Sequence, residues 1–165
     1  MTVYREPACL GSVAAFHHLF QAPVVESPAI PDAKRAALRV KLLQEELDEL
    51  KEAIANDDLV EAADAFADIQ YVLSGAVHEF GLGSRFADLF DEVQRSNMSK
   101  ACATMEEAEA TVSHYAAKDQ PATIKEVNGK FLVYRTEDNK VLKSVNYSPA
   151  DLKPILTRAD ENSPP

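Results

Sequence analysis

The sequence predicts an all-α protein, built as an antiparallel helical bundle, with a small β-hairpin appendage near its C-terminus. Apolar residues recur at helical spacing through residues 36–54 and again through residues 59–80. Only the short stretch 56–58 separates these runs, so the two helices must lie side by side and antiparallel. After residue 122 the pattern changes to short β-branched and aromatic runs around Asn128-Gly129, the strongest local signal for a hairpin.

The composition is that of a globular protein and disfavours two classes of partner. The 165 residues suffice for one domain, or one domain with a small appendage, and 46% of them are hydrophobic. The net charge of −10 argues against a nucleic-acid polymer or an anionic membrane, because their phosphate groups would be repelled. The first residues lack the apolar run of a signal peptide, so we expect a cytoplasmic protein with free thiols at Cys9 and Cys102.

A first helix is predicted to begin at Ser12, whose hydroxyl can cap it. Its core-facing residues should be Val13, Phe16, His17 and Phe20. Three prolines then predict an extended linker over residues 21–31. Asp32 follows the linker and can cap the next helix.

The two central helices should each bury an apolar stripe and carry carboxylates along its border. The stripes predicted from helical-wheel positions are Ala36, Val40, Leu43, Leu47, Leu50 and Ile54 on the first helix, and Leu59, Ala62, Phe66, Ile69, Leu73 and Phe80 on the second. Glu46 and Glu49 lie on the shoulder of the first stripe, where they should be partly buried. Glu61, Asp64 and Asp68 border the second stripe. Antiparallel packing can therefore bring these five carboxylates into one small space.

Carboxylates beside apolar residues are destabilising unless they are paired, protonated or bound to a metal. No lysine or arginine lies on the two acidic borders. A site of carboxylates alone favours Mg²⁺ or Mn²⁺ over zinc, and Mg²⁺ commonly binds together with the phosphates of a substrate. The alternative is that these acids form the solvated face that glutamate-rich helices usually present to water.

Two further helices are predicted before the hairpin. The glycine after Phe80 stops the second central helix, and a fourth helix should follow over residues 85–96. Thr104 and Glu107 form a capping box that opens a fifth helix, which we expect to pack peripherally.

Short strands are predicted in the runs 123–127, 130–135 and 140–143. Pro149 should then start a short last helix. We therefore expect a helical domain over residues 1–118 and an appendage with a polar tail over residues 119–165.

Four stretches of the sequence carry a family pattern. The first is Glu45-Glu46-x-x-Glu49, followed after eleven residues by Glu61-x-x-Asp64. The others are residues 68–75, 90–100 and 140–152. Together they resemble the all-α nucleotide pyrophosphohydrolase superfamily, in its MazG-like, phosphoribosyl-ATP pyrophosphohydrolase-like branch. The resemblance covers roughly residues 13–156.

This resemblance implies a MazG-like bundle that uses Mg²⁺ to hydrolyse a nucleoside triphosphate, or a related nucleotide, to the monophosphate and pyrophosphate. The implied metal ligands are Glu46, Glu49, Glu61 and Asp64, with Asp68 as an outer ligand. Glu45 would orient or deprotonate the attacking water. The implied substrate-binding residues are Asn97, Lys100 and Lys143. Nucleotide-pool housecleaning is the expected role.

Two alternatives stay open at the level of sequence. One is hydrolysis of phosphoribosyl-ATP in histidine biosynthesis, and the other is a non-catalytic helical oligomerisation module. The wide apolar arcs, and the superfamily's habit of pairing bundles, predict a homodimer or homotetramer.

Overall fold

The computed structural model describes residues 4–158 of the chain. Within them lie six α-helices, one turn of 3-10 helix and one pair of strands. The helices are α1 (Cys9–Leu19), α2 (Ala33–Ala55), α3 (Leu59–Glu79), α4 (Phe86–Met98), α5 (Met105–Ala116) and α6 (Lys153–Thr157), and the strands are β1 (Ala122–Val127) and β2 (Lys130–Arg135). The predicted all-α class with a C-terminal hairpin is confirmed. No helix in this part of the chain combines the length and the apolar character needed to span a membrane.

The chain folds as two compact units, of which the first ends at Phe86 and the second begins at Ala87. This boundary differs from the predicted one between residues 118 and 119. The reason is that α5 packs against both strands of the hairpin and shares their core. The assignment of residues 1–118 and 119–165 as domains stays a prediction.

Aspartates cap both central helices of the first unit. Asp32 accepts hydrogen bonds from the backbone amides of Lys34 (3.0 Å) and Arg35 (3.1 Å), as predicted. Asp58 accepts in the same way from two backbone amides at the start of α3. Because only residues 56–58 separate them, α2 and α3 pack along each other, and α1 packs on α3.

The first helix differs from its prediction in its start and in its buried face. It begins at Cys9 rather than after Ser12, and no side chain caps it. Val13 and His17 are buried, as expected, but Phe16 and Phe20 are 41% and 63% exposed. The four positions border one another on the helix, but the core covers only the side that holds Val13 and His17.

The predicted apolar stripes of α2 and α3 are wrong for five of their twelve residues within the single chain, and the other seven are partly buried. Five of their large members are between 42% and 82% exposed: Val40, Leu47, Ile54, Leu59 and Phe66. The residues buried on these helices include Ala53 and Ala65, whose small side chains allow the two helices to approach closely. Within the single chain, these five large apolar residues therefore remain at the surface.

A buried carboxylate joins the three helices of the first unit. Glu79 on α3, with a side chain 1% exposed, accepts hydrogen bonds from Arg35 Nε (3.0 Å), Arg35 Nη2 and Arg39 Nη2. Arg39 Nη2 lies 3.3 Å from His17 Nε2, and the other ring nitrogen of His17 lies 2.8 Å from the carbonyl oxygen of Pro23. Burial raises the pKa of Glu79, but the hydrogen bonds from Arg39 and Arg35 outweigh it, so the pKa is below its usual value.

Two glycines permit close approaches in this unit. A Cβ at Gly75 would lie 2.9 Å from Arg39 Nη1 and from His17 Nε2, so a side chain there would displace the buried guanidinium or the imidazole. Gly81 has a φ of +67°, and a Cβ there would lie 2.0 Å from the carbonyl oxygen of Ser27 in the proline-rich linker. The predicted glycine stop of α3 therefore also lets the linker dock against the end of that helix.

The second unit is built around α5 and the hairpin. Thr104 Oγ1 accepts a hydrogen bond from the backbone amide of Glu107 (3.2 Å), which confirms the predicted cap. The buried core consists of Cys102, Ala108, Val133 and Leu142, flanked by Val112, Tyr115, Ala122, Ile124 and Phe131. The expectation that α5 packs peripherally is wrong, because its small residues admit the apolar face of the hairpin.

The hairpin turns at Asn128 and Gly129, which both have positive φ, as the sequence predicts. The third predicted strand, residues 140–143, is reduced to one isolated bridge between Val141 and Tyr134. After this bridge the chain enters the core that α5 shares with the hairpin, where Leu142 is buried. The last helix begins at Lys153, and Pro154 rather than Pro149 occupies its first turn.

Candidate active site

The antiparallel packing of α2 and α3 brings one predicted metal ligand close to several others. Glu46 is half-buried on α2. Burial is the largest cause that raises the pKa of Glu46, and the negative charges of Glu49, Asp68, Glu45 and Asp64 raise it further. Because Asp64 and Asp68 belong to α3, the carboxylates of both helices share one electrostatic neighbourhood.

The other predicted acids are more open than expected. Glu49, Glu61, Asp64 and Asp68 are all exposed, so the partial burial expected for Glu49 is wrong within the single chain. Glu61 is not among the charges that shift the pKa of Glu46. Glu45 is paired with Lys41 across 3.1 Å, one turn earlier on α2.

The chemistry of these donors fits a hard divalent cation, since all of them are carboxylate oxygens. Their positions do not yet make a site, because within residues 4–158 no group of three or more His, Cys, Asp or Glu side chains is arranged to hold a metal ion. The ligand set therefore stays a prediction.

The predicted substrate residues belong to the second unit, where the structure groups them around a tyrosine. Lys100 Nζ donates a hydrogen bond to Asn97 Oδ1 (2.7 Å). Lys143 Nζ lies 4.3 Å from the centre of the Tyr147 ring. The hydrogen bond with Ser96 lowers the pKa of Tyr147, and the charges of Lys143, Lys100 and Arg95 lower it further.

Side chains of α4 fasten the segment that carries Tyr147. Arg95 donates hydrogen bonds to Ser148 Oγ and to the carbonyl oxygen of Pro149, both at 3.0 Å. Glu92 accepts one from the backbone amide of Asp151 (2.8 Å). The hydrogen bonds from Arg95, followed by the one from the Asp151 amide, lower the pKa of Glu92 to about 2.

Sequence reasoning missed Tyr147 and its partner Ser96 as members of this group. Their hydroxyls lie 2.9 Å apart although 51 residues separate them in the chain. The sequence offered a weak signal, since Ser96 adjoins Asn97 and Tyr147 follows Lys143 by four residues.

Comparisons with known proteins agree with the position of the acidic helices. A family model described as phosphoribosyl-ATP pyrophosphohydrolase matches residues 13–97, which include all of α2 and α3. "Uncharacterized protein L479" of Acanthamoeba polyphaga mimivirus is 30% identical over 96 residues, which cover 52% of this chain and 38% of the viral protein. The chain therefore spans well under half the length of that relative.

Proposed function

This chain belongs to the phosphoribosyl-ATP pyrophosphohydrolase family, and on that premise we propose that it hydrolyses a nucleoside triphosphate, or a related nucleotide, to the monophosphate and pyrophosphate. Water adds to one phosphorus of the anhydride, and the bond to the pyrophosphate oxygen breaks. The observation that carries the proposal is the family match, because it spans both acid-bearing helices. Removal of unwanted nucleotides from the pool is the role that we propose.

The family is typically dependent on a divalent metal, and we propose Mg²⁺, with Mn²⁺ as a substitute. The residues that would hold it are Glu46, Glu49, Glu61 and Asp64, with Asp68 as an outer ligand. When bound, such a cation neutralises phosphate charge and lowers the pKa of a coordinated water. The environment of Glu46 supports the proposal, because a cation would offset the repulsion that this half-buried carboxylate receives from its neighbours.

Glu45 would accept the proton of the attacking water. Its ion pair with Lys41 is exposed on both sides, and such surface pairs are weak enough to open when a substrate arrives. In the second unit, Asn97, Lys100 and Lys143 would bind phosphate groups, since a lysine ammonium is a compact charge suited to phosphate.

We further propose that a second copy of the chain covers the exposed apolar residues of α2 and α3, giving a homodimer or homotetramer. Val40, Leu47 and Ile54 repeat every seven residues, which is the spacing of residues at a helix–helix seam. Light scattering on the wild type should give a mass of at least two chains. Leu47→Glu should shift that mass toward one chain, and a wild type that stays monomeric at micromolar concentration contradicts the proposal.

The activity is tested by incubating the purified protein and Mg²⁺ with nucleoside triphosphates and with phosphoribosyl-ATP, and measuring released pyrophosphate. Glu45→Gln should lower kcat by a factor of about 10² to 10⁴, the usual contribution of a general base. Glu52→Gln is the matched control, because Glu52 is an exposed acid of the same helix and does not contribute to the charge around Glu46. Equal losses in both variants would contradict the assignment of Glu45.

The same panel separates the two alternatives. The activity for which the family is named favours phosphoribosyl-ATP as the substrate, and preferential turnover of that compound would support a role in histidine biosynthesis. Most of the acids are exposed, which favours the non-catalytic helical oligomerisation module, whose acids would only face water. A protein that releases pyrophosphate from none of the nucleotides would support this alternative.

A further inference from the structure

A cavity of about 400 Å³ opens in the second unit, within the range of small-molecule sites. Its lining consists of His114, Tyr115, Lys118, Lys143, Ser144, Val145 and Tyr147. All of these residues follow residue 97, so none belongs to the part of the chain that the family model matches. Of them, Lys143 was assigned to the substrate above and Tyr147 lies beside it, and both belong to the stretch 140–152 that carries the family pattern.

The cavity has two lysines and no carboxylate in its lining, in a chain whose net charge is −10. Among the described residues, neither Lys118 nor Lys143 forms an ion pair with an acid. Glu107, which contacts the lining residue Ser144, has its carboxylate engaged by the hydroxyl of Ser144 and by the backbone amide of Ala103 (2.8 Å). Both ammonium groups are therefore without a paired acid among the described residues.

Each lysine is combined with an aromatic ring. Lys143 Nζ lies 4.3 Å from the centre of the Tyr147 ring, and Lys118 Nζ lies 5.8 Å from that of Tyr115. Lys118 Nζ also lies 2.9 Å from His114 Nε2, so a further hydrogen-bonding ring adjoins the same cation. A ligand in this cavity thus meets ammonium groups and flat apolar surfaces together.

We propose that this cavity binds a nucleoside phosphate, with its phosphate on Lys118 and Lys143 and its base against Tyr115 or Tyr147. The ligand class rests on the proposed function, whereas the site itself rests on the cavity, its lysines and its tyrosines. Aromatic rings stack on any nucleobase, so the site should require both a base and a phosphate but should not discriminate among the bases.

Binding is measured by titrating the full-length protein with the four ribonucleoside monophosphates in EDTA, at low ionic strength. EDTA removes divalent cations and thereby separates this site from any metal-dependent one. Lys118→Gln and Lys143→Gln should each weaken the tightest of the four by about fivefold or more, the loss of one charged hydrogen bond. Lys125→Gln is the matched control, because Lys125 is exposed on β1 and does not line the cavity. Thermal melts check that each variant is folded.

A second comparison tests the aromatic half on the wild type alone. Ribose 5-phosphate, which has the phosphate but no base, should bind at least about fivefold more weakly than the nucleotide, since stacking on an aromatic ring contributes that much or more. Equal binding of the two compounds would overturn the role of the tyrosines. Unchanged affinity in both lysine variants, an equal loss in Lys125→Gln, or no nucleotide binding by the wild type would overturn the site.

The outcomes also separate this site from the proposed hydrolysis. A protein that binds nucleotide through Lys118 but releases no pyrophosphate keeps the site and loses the proposed function. A protein that releases pyrophosphate while Lys118→Gln and Lys143→Gln both leave nucleotide affinity in EDTA unchanged keeps the function and loses the site.

Discussion

Replacing Glu79 by glutamine should destabilise the first unit strongly, because this carboxylate is the acceptor for two arginines in a buried position. Its side chain is 1% exposed, and those of Arg39 and Arg35 are 10% and 34% exposed. Removing one partner of a buried ion pair costs roughly 3–5 kcal/mol, and the partly open Arg35 puts this case at about 3 kcal/mol. For a chain of this size that corresponds to a fall in melting temperature of about 10 °C.

Thermal melts followed by circular dichroism measure this effect. Asp48→Asn is the matched control, because Asp48 also binds two donors, Lys51 (2.7 Å) and Gln44 (2.9 Å), but is exposed, so its loss should change the melting temperature little. The pKa of Glu79 is lowered in the folded state, so its contribution should be complete above about pH 4.5 and be lost as the pH falls further.

A double substitution tests the reasoning directly. Arg39→Leu combined with Glu79→Leu removes both the buried charge and its most buried partner, and Arg35 can turn to solvent. The pair should be less destabilising than the sum of the two single changes, because neither then leaves the other buried and unpaired. A Glu79→Gln variant that melts within about 2 °C of the wild type, or strict additivity in the double variant, refutes this account.

Three further predictions follow from particular residues. Glu46→Gln should raise the melting temperature of the metal-free protein, because it removes a carboxylate that its neighbours repel. The same change should abolish any rise in melting temperature caused by Mg²⁺. A wild type that Mg²⁺ does not stabilise would contradict the metal site. Gly75→Ala should destabilise the protein by more than about 1 kcal/mol, because the new Cβ meets a buried guanidinium. Gly11→Ala in α1, with open space around it, should stabilise the protein by about 0.5–1 kcal/mol. Thermal melts in which both changes act alike contradict this prediction. Carboxyl resonances in an NMR titration should place the pKa of Glu92 near 2, and a midpoint near 4.5 would mean that its hydrogen bonds with Arg95 do not persist in solution.

Local signals predicted most of the secondary structure. Asp32 and Thr104 cap the helices that they were expected to cap, and Asn128-Gly129 turns the hairpin. These signals act between residues that are two or three positions apart, so the sequence order itself brings the partners together. The acidic signature was visible for the same reason, because Glu45, Glu46 and Glu49 adjoin one another on one helix.

The burial of helix faces was predicted less well, because a helical wheel shows which residues share a face but not what that face meets. Val40, Leu47 and Ile54 form a regular stripe, yet all three are exposed in the single chain, whereas Ala53 is buried. Large side chains keep helices apart, while small ones allow close packing, so the single chain uses the smaller face. The stripe itself predicts a partner, which the fold of one chain does not supply.

The helices, most of their caps, the hairpin turn and the family could be predicted from the sequence, because each depends on neighbouring residues or on an ordered motif. Which distant groups meet became known from the folded chain. Glu79 finds Arg39 across 40 residues, and Ser96 finds Tyr147 across 51. Such pairs have no spacing rule, since their distance in space is set by the packing of whole elements and not by the chain between them. The lysine and tyrosine cavity of the second unit has the same origin, because residues 114–118 at the end of α5 contribute three of its lining residues and the segment after the hairpin contributes four.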